Sequence, residues 1–342
     1  MWLSRFAIAL LCVVALVIAG LAIVTRLGGY APLTGSGETP VSRWKRKTYT
    51  YKVVDDIELS ADVYRVENSQ KQPAVVWMHG GGLITGSRRY VPPYIRSFCR
   101  QHGITVISID YRLAPEIKLP DIAEDVVDAY EWIKNLGPDL LAIDADRIAV
   151  IGHSAGGYLT LLLATHAGAG LKAIVVLSGY ADLTGAWLTK PSPYHIKSRE
   201  RLSRALVENA VGNSGLTNVP WGAGIREKRS RYYTFLRQTG AWPEDVVGFN
   251  PVTEYRRYLP YLPLLHINGS FPPALLLHGD LDQDVPFEQG LAIAERFARH
   301  GVYHEFIRVP NAGHNLFDTD NIEVVTALQQ IGRFLLEQLT RK

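Results

Sequence analysis

Residues 147–158 read Arg147-Ile148-Ala149-Val150-Ile151-Gly152-His153-Ser154-Ala155-Gly156-Gly157-Tyr158. The apolar run ending at Ile151 has the pattern of a strand buried on both faces, and from Ala155 to His166 the pattern turns helical at once. A strand that turns this sharply into a helix strains the backbone at the serine, and only small residues two before and two after it let strand and helix pass. Gly152 and Gly156 fill those positions. Ser154 then stands above the sheet at a helix N-terminus, where the positive end of the helix dipole favours a developing oxyanion.

Outward from this turn, the alternation of strand and helix recurs. Thr48 to Val54 and Leu59 to Tyr64 alternate like antiparallel strands. Ala74 to Met78, Ile104 to Ile109, Arg147 to Ile151, Ala173 to Leu177, Ala274 to Leu277 and Glu305 to Val309 read as buried strands. Helical periods cover Tyr94 to His102, Ile122 to Asn135, Ala155 to His166, Gln289 to His300 and Ile322 to Leu339. This order predicts a mostly parallel sheet with helices on both faces. Ligands bind such a sheet at the carboxyl ends of its strands, so chemistry is expected in the loops that follow the apolar runs.

After Met78 comes His79-Gly80-Gly81-Gly82, which exposes backbone N–H groups to a carbonyl oxygen. Beside a serine on a strand-to-helix turn, an oxyanion hole takes one N–H from the next residue, Ala155, and the others from such a loop, here Gly81 and Gly82. A phosphate cradle would need a Gly-Lys-Ser/Thr ending, which the loop lacks; His79 is expected to brace it. A serine hydroxyl also needs a base, and the base an acid that sets its tautomer. His314, on the turn Asn311-Ala312-Gly313-His314-Asn315 after the last strand, is the candidate base, since His304 lies inside that strand and His300 ends a helix. For the acid, Asp280, Asp282 and Asp284 compete in the loop after Leu277. Their spacing also evokes a calcium loop, but Val285 stands where the turn glycine belongs and Leu291 where the bidentate glutamate belongs. No metal and no organic cofactor is therefore expected.

These residues together resemble the α/β-hydrolase-fold serine esterases. Trp77 through His166, with the His-Gly-Gly-Gly loop, Asp110-Tyr111-Arg112-Leu113-Ala114-Pro115-Glu116 and Gly152 to Gly157, is similar to hormone-sensitive-lipase-like carboxylesterases. His278-Gly279, Asp282, Val285-Pro286 and Gly313-His314 look more like feruloyl-esterase-like and prolyl-peptidase-like relatives. The resemblance implies an α/β-hydrolase fold with Ser154, His314 and Asp282 as catalytic triad, Asp284 as the alternative acid, and Asp280 as a solvated or loop-capping residue. It implies hydrolysis of a small-molecule or lipid carboxylic ester. An amidase or peptidase of the same fold is the alternative, because the same triad cleaves amides. A catalytically silent, membrane-tethered binding protein is a third, disfavoured because Ser154, Asp282 and His314 are all present.

Leu183 to Phe271 is an insertion too long for a plain connection and is expected to form a cap over the site. It holds twelve Lys/Arg against six Asp/Glu, with Leu202, Leu206, Val207, Tyr232, Tyr233, Phe235 and Leu236 among them. It either faces a membrane and admits an apolar ester, or is a solvated cap whose aromatic residues pack inward. The basic residues are scattered, so no nucleic-acid partner is expected.

The N-terminus is different in kind. Phe6 to Val24 is free of charge and, at about 1.5 Å per residue, reaches roughly 28 Å, the hydrocarbon thickness of a bilayer. Residues 1–26 are expected to be a single-pass membrane anchor, with a cleaved signal peptide as the competitor. Residues 27–48 form a Gly-, Ser-, Thr- and Pro-containing tether ending in the basic cluster Arg43, Lys45, Arg46 and Lys47, and 49–342 the hydrolase domain. The short N-terminal tail points to a catalytic domain outside the cytoplasm, although the flanking positive charges lean the other way. With 47% hydrophobic and 20% charged residues and two cysteines, collagen-like, coiled-coil, disordered and disulfide-stapled classes are excluded.

Overall fold

The strands form where apolar residues run without interruption. The computed structural model describes residues 44–68, 70–197, 200–208, 211–212, 216–219, 224–318 and 320–340. Its strands are β1 Trp44–Val54, β2 Ile57–Val66, β3 Gln72–Met78, β4 Thr105–Ile109, β5 Ile143–His153, β6 Ala173–Leu177, β7 Ala274–Gly279 and β8 His304–Val309. They join in one sheet of order β1-β2-β4-β3-β5-β6-β7-β8. The β1–β2 and β2–β4 pairs are antiparallel and all later neighbours parallel. The fold is that of an α/β hydrolase, with the mostly parallel sheet that the alternation of elements implies.

Side chains in the parallel strands alternate between two cores. In β3, Ala74, Val76 and Met78 join the core on one face while Val75 and Trp77 join the core on the other. Helices α1 Pro93–Gln101 and α11 Ile322–Thr340 cover the Trp77 face, through Ile95, Cys99, Leu328, Ile331 and Phe334. Helices α2 Leu119–Leu140, α3 Ala155–Ala167 and α10 Phe287–Arg299 cover the other. Burial on both faces is why these strands read as unbroken apolar runs.

Helix α2 runs past the end expected at Asn135, through Gly137 and Pro138. A Cβ at Gly137 would meet the Ile143 side chain at 2.7 Å, so this glycine serves close packing between α2 and β5.

The expected anchor, and residues 27–43 of the expected tether, lie outside the described residues. Among the described residues no helix is long and apolar enough to cross a membrane. Residues 44–48 belong to β1, so the end of the basic cluster is a sheet edge. There Lys45 pairs with Glu67 and Lys47 lies 4.6 Å from the Tyr49 ring centre.

The insertion contributes short helices α4 Ala186–Thr189, α5 Pro193–Lys197, α6 Arg204–Val207, α8 Trp242–Val247 and α9 Pro263–His266, and the longer α7 Gly224–Thr239. Of its apolar residues, Val207, Tyr232, Phe235 and Leu236 are buried while Leu206 is exposed. Not all of its positive charge faces outward. Arg229 is fully buried and donates from Nη1 to the carbonyls of Ile84 and Ala114, each at 2.9 Å, and from Nη2 to Glu116 at 2.8 Å.

A second buried arginine ties the loop after β4 to α2. Arg112 donates to Asp125 from Nε at 2.7 Å and from Nη2 at 2.8 Å, and Lys52 lies 3.0 Å from the same carboxylate. Removing one partner strands a buried charge, so Asp125→Ala should lower stability by about 3–5 kcal/mol, read from the urea unfolding midpoint.

Candidate active site

Strand β5 delivers Ser154 with φ 56° and ψ −120°, a conformation costly for any residue with a Cβ. The crossing of strand and helix requires it. A Cβ at Gly152 would meet the Gly156 carbonyl oxygen at 2.0 Å, and one at Gly156 would meet the Met78 carbonyl oxygen at 2.1 Å. The Ser154 N–H donates to the Leu177 carbonyl at 2.8 Å, which fixes the turn against β6.

The loop after β8 brings His314 to this serine, with Nε2 2.9 Å from Ser154 Oγ. On the other side of the ring, Nδ1 is 2.7 Å from Asp282 Oδ2. Because a carboxylate only accepts, Nδ1–H donates to it and Nε2 is left to accept the serine proton. Asp282 is itself held: its Oδ1 accepts the N–H groups of Asp284 and Val285, both at 2.9 Å. Burial alone would raise the Asp282 pKa, but hydrogen bonds from His278 and His314 outweigh it and bring it down to about 2. For His314, burial pulls the pKa down while the bond to Asp282 and the charges of Asp284 and Asp282 push it up, and the net direction is upward.

The glycine loop is braced from beneath. Tyr111 stacks on His79 at 4.3 Å between ring centres and donates its hydroxyl to the His79 carbonyl at 2.7 Å. His79 Nδ1–H donates to Gly80 O at 2.9 Å, and burial pulls the His79 pKa down to about 4, so the ring is neutral near pH 7. Gly81 and Gly82 have φ of 118° and 63°. A Cβ at Gly82 would strike the Tyr233 ring at 2.6 Å. The N–H groups of Gly81, Gly82 and Ala155 donate to no described residue.

The three carboxylates of the loop after β7 separate completely. Asp280 accepts from Arg308 Nη2 at 2.8 Å and from the Asn311 N–H at 2.8 Å, holding the base of the His314 loop. Asp282 meets His314 Nδ1, as above. Asp284, the alternative acid, lies on the opposite edge of the imidazole, with Oδ2 3.8 Å from Nε2. Its Oδ1 accepts from His195 Nε2 at 2.9 Å, Tyr233 OH at 2.7 Å and Arg237 Nη1 at 3.2 Å, all from the cap. Burial opposes ionisation of Asp284, but His195, His314 and Arg237 hold its pKa well below the usual carboxylate range.

Several of these partners carry no signal in the sequence. Arg237, Tyr233 and His195 stand 47 to 89 positions from Asp284. His153, inside the serine turn, donates from Nε2 to the His314 carbonyl at 3.0 Å, bracing a loop 161 residues away. Burial and the His314 charge pull the His153 pKa down to about 3, which suits a neutral donor.

With this geometry in view, comparisons with known proteins agree on the fold. Residues 75–221 match a family described as alpha/beta hydrolase fold, and residues 229–342 match the prolyl oligopeptidase family. An esterase of Pyrobaculum calidifontis superposes with a TM-score of 0.63 at 25% identity, over 88% of this chain and 87% of that one. A Staphylococcus aureus protein of unknown function superposes with a TM-score of 0.70 at 23% identity, over 86% and 100%. A non-reducing polyketide synthase of Preussia isomera is 33% identical over 306 residues, 80% of this chain. Another, of Acremonium egyptiacum, is 30% identical over 315 residues, 81% of this chain. The chain spans 14% of the length of each of these two synthases.

The backbone at Ser154 provides a test that needs no substrate. Glycine adopts this conformation without a Cβ penalty, so Ser154→Gly should raise stability by about 1 kcal/mol, seen as a higher thermal midpoint.

Proposed function

We propose, on the premise that the chain is an α/β-hydrolase-fold protein of the carboxylesterase-like group, that it hydrolyses carboxylic esters with Ser154 as nucleophile, His314 as base and Asp282 as the acid that orients it. The observation that carries this is the continuous hydrogen-bonded line from Ser154 Oγ through His314 to Asp282 at 2.9 and 2.7 Å. As Oγ attacks the ester carbonyl, His314 Nε2 takes the serine proton and Asp282 stabilises the imidazolium. The oxyanion meets the free N–H groups of Gly81, Gly82 and Ala155. His314 then passes its proton to the leaving alkoxide, giving alcohol and acyl-serine. Water repeats the sequence, yielding carboxylate and free serine.

The space beside Ser154 bears on the acyl group. It measures about 10 Å³, room for roughly one water, between Gly82, Tyr180, Trp187, Leu188, Tyr233 and Trp242. This favours short acyl chains over fatty acids. The polyketide synthase relatives favour a second reading, in which the acyl group is a polyketide delivered as an ester or thioester to the same serine. We further propose, on its length and lack of charge, that the segment 6–24 is a membrane anchor.

Each part has its measurement. With 4-nitrophenyl esters from acetate to palmitate, full-length protein should turn over acetate fastest, and Ser154→Ala should lose at least about 10³-fold. Equal rates for the two proteins would remove the triad assignment, and a maximum at palmitate would remove the short-acyl assignment. The base must be neutral to accept a proton, and its folded pKa is raised. The rate at low substrate should therefore climb with pH through an inflection above about 6.5, the ordinary histidine value; an inflection below it would contradict the role given to His314. Deleting residues 1–26 should move the protein from the membrane to the soluble fraction on ultracentrifugation.

A further inference from the structure

The small space beside Ser154 shares part of its wall with a second, larger one. Trp187 and Arg237, which line it, also line a neighbouring cleft of about 380 Å³ between α4, α5 and the Gln283–Pro286 segment. Other lining residues are Lys190, Ser192, Tyr194, Lys197 and Asp284.

The charge of this cleft is unbalanced. Asp284 is the acidic residue in its lining, and its Oδ1 is already occupied by Arg237, His195 and Tyr233, so that carboxylate is answered by the cap. Arg237 is buried and locked in place, with Nη2 donating to the carbonyls of Asp284 at 3.0 Å and Trp187 at 3.3 Å. Its Nε is buried with no hydrogen-bond partner. Lys190 and Lys197 are exposed on the rim, and among the described residues neither has a carboxylate partner. The Trp187 indole adds a flat apolar wall, on which Arg237 stacks at 5.1 Å from the ring centre. The cleft therefore offers an aromatic surface and two cations without a carboxylate partner among the described residues, and it shares Trp187 and Arg237 with the wall of the space at Ser154.

We propose that this cleft is a substrate subsite for the alcohol portion of the ester, and that it selects an aromatic alcohol bearing an anionic group, carboxylate or phosphate, held by Lys190 and Lys197. The assignment rests on the hydrolase function above and adds to it a substrate class. With room for little beyond a short acyl group at Ser154, the larger part of the substrate falls to the cleft. Both lysines are open to water, so the selection is a matter of attraction and orientation that salt weakens.

The test uses full-length protein and three acetates of similar size: neutral 4-acetoxybenzamide, 4-acetoxybenzoate and 4-acetoxyphenyl phosphate. At about 10 mM salt, kcat/KM for at least one anionic ester should exceed that for the benzamide by about tenfold. The larger of the two anionic gains identifies which anion the subsite prefers. The double variant Lys190→Glu/Lys197→Glu should abolish that preference while leaving benzamide turnover unchanged, and about 0.5 M salt should do the same in the wild type. Equal kcat/KM for all three esters, or a variant that loses turnover of all three in proportion, would overturn the subsite. If the benzamide were not turned over in a Ser154-dependent way, the hydrolase function itself would fall, and the subsite with it.

Discussion

The close passage of β5 and α3 over the carbonyl of Met78 is the contact on which the candidate site depends. A Cβ at Gly156 would come within 2.1 Å of that oxygen, so no other residue lets the helix start so near the sheet. Two consequences follow from this approach. The backbone at Ser154 is driven to φ 56° and ψ −120°, and the glycine loop that follows Met78 comes to lie against the serine. A turn that is locally strained is held by a sheet buried on both faces, so the strain is met by the packing of the whole domain.

Around that turn, every group that touches His314 is held by something else. Asp282 is fixed by two backbone N–H groups, the His314 loop by His153 from below and by Asp280 at its base. Asp284 is held by three cap side chains and faces the edge of the imidazole that also meets Ser154. This carboxylate is thus the point where the cap meets the His314 loop. The cap's excess positive charge has an internal use at Arg229 and Arg237, which a count of basic residues cannot separate from solvated charge.

Local signals carried far in this chain. The strand runs, the serine turn, the glycine loop and the histidine turn all depend on neighbours within about ten positions, where steric rules and hydrophobic period act directly. Helix α2 shows the limit of such rules. The helical period is read as ending at Asn135, yet the helix continues through Gly137 and Pro138 to Leu140, with Gly137 packed closely on Ile143. The residues 44–48, which read as the end of a tether, are strand because β2 offers them a partner. The choice among Asp280, Asp282 and Asp284 was likewise beyond spacing: all three stand in one loop, and only the direction of each side chain distinguishes them.

Sequence alone determined the class of sheet, the serine on its strained turn, the glycine loop and the histidine that follows the last strand, because each is written in a short stretch with its own steric logic. Only the tertiary structure decided which carboxylate meets His314 Nδ1, that Asp284 serves the cap, and that Lys190 and Lys197 line a cleft sharing Trp187 and Arg237 with the space at the serine. Those facts depend on side chains 30 to 160 positions apart that share a site only after the chain has folded. Hydrogen bonds and charges act over a few ångströms of space, whatever the distance along the chain.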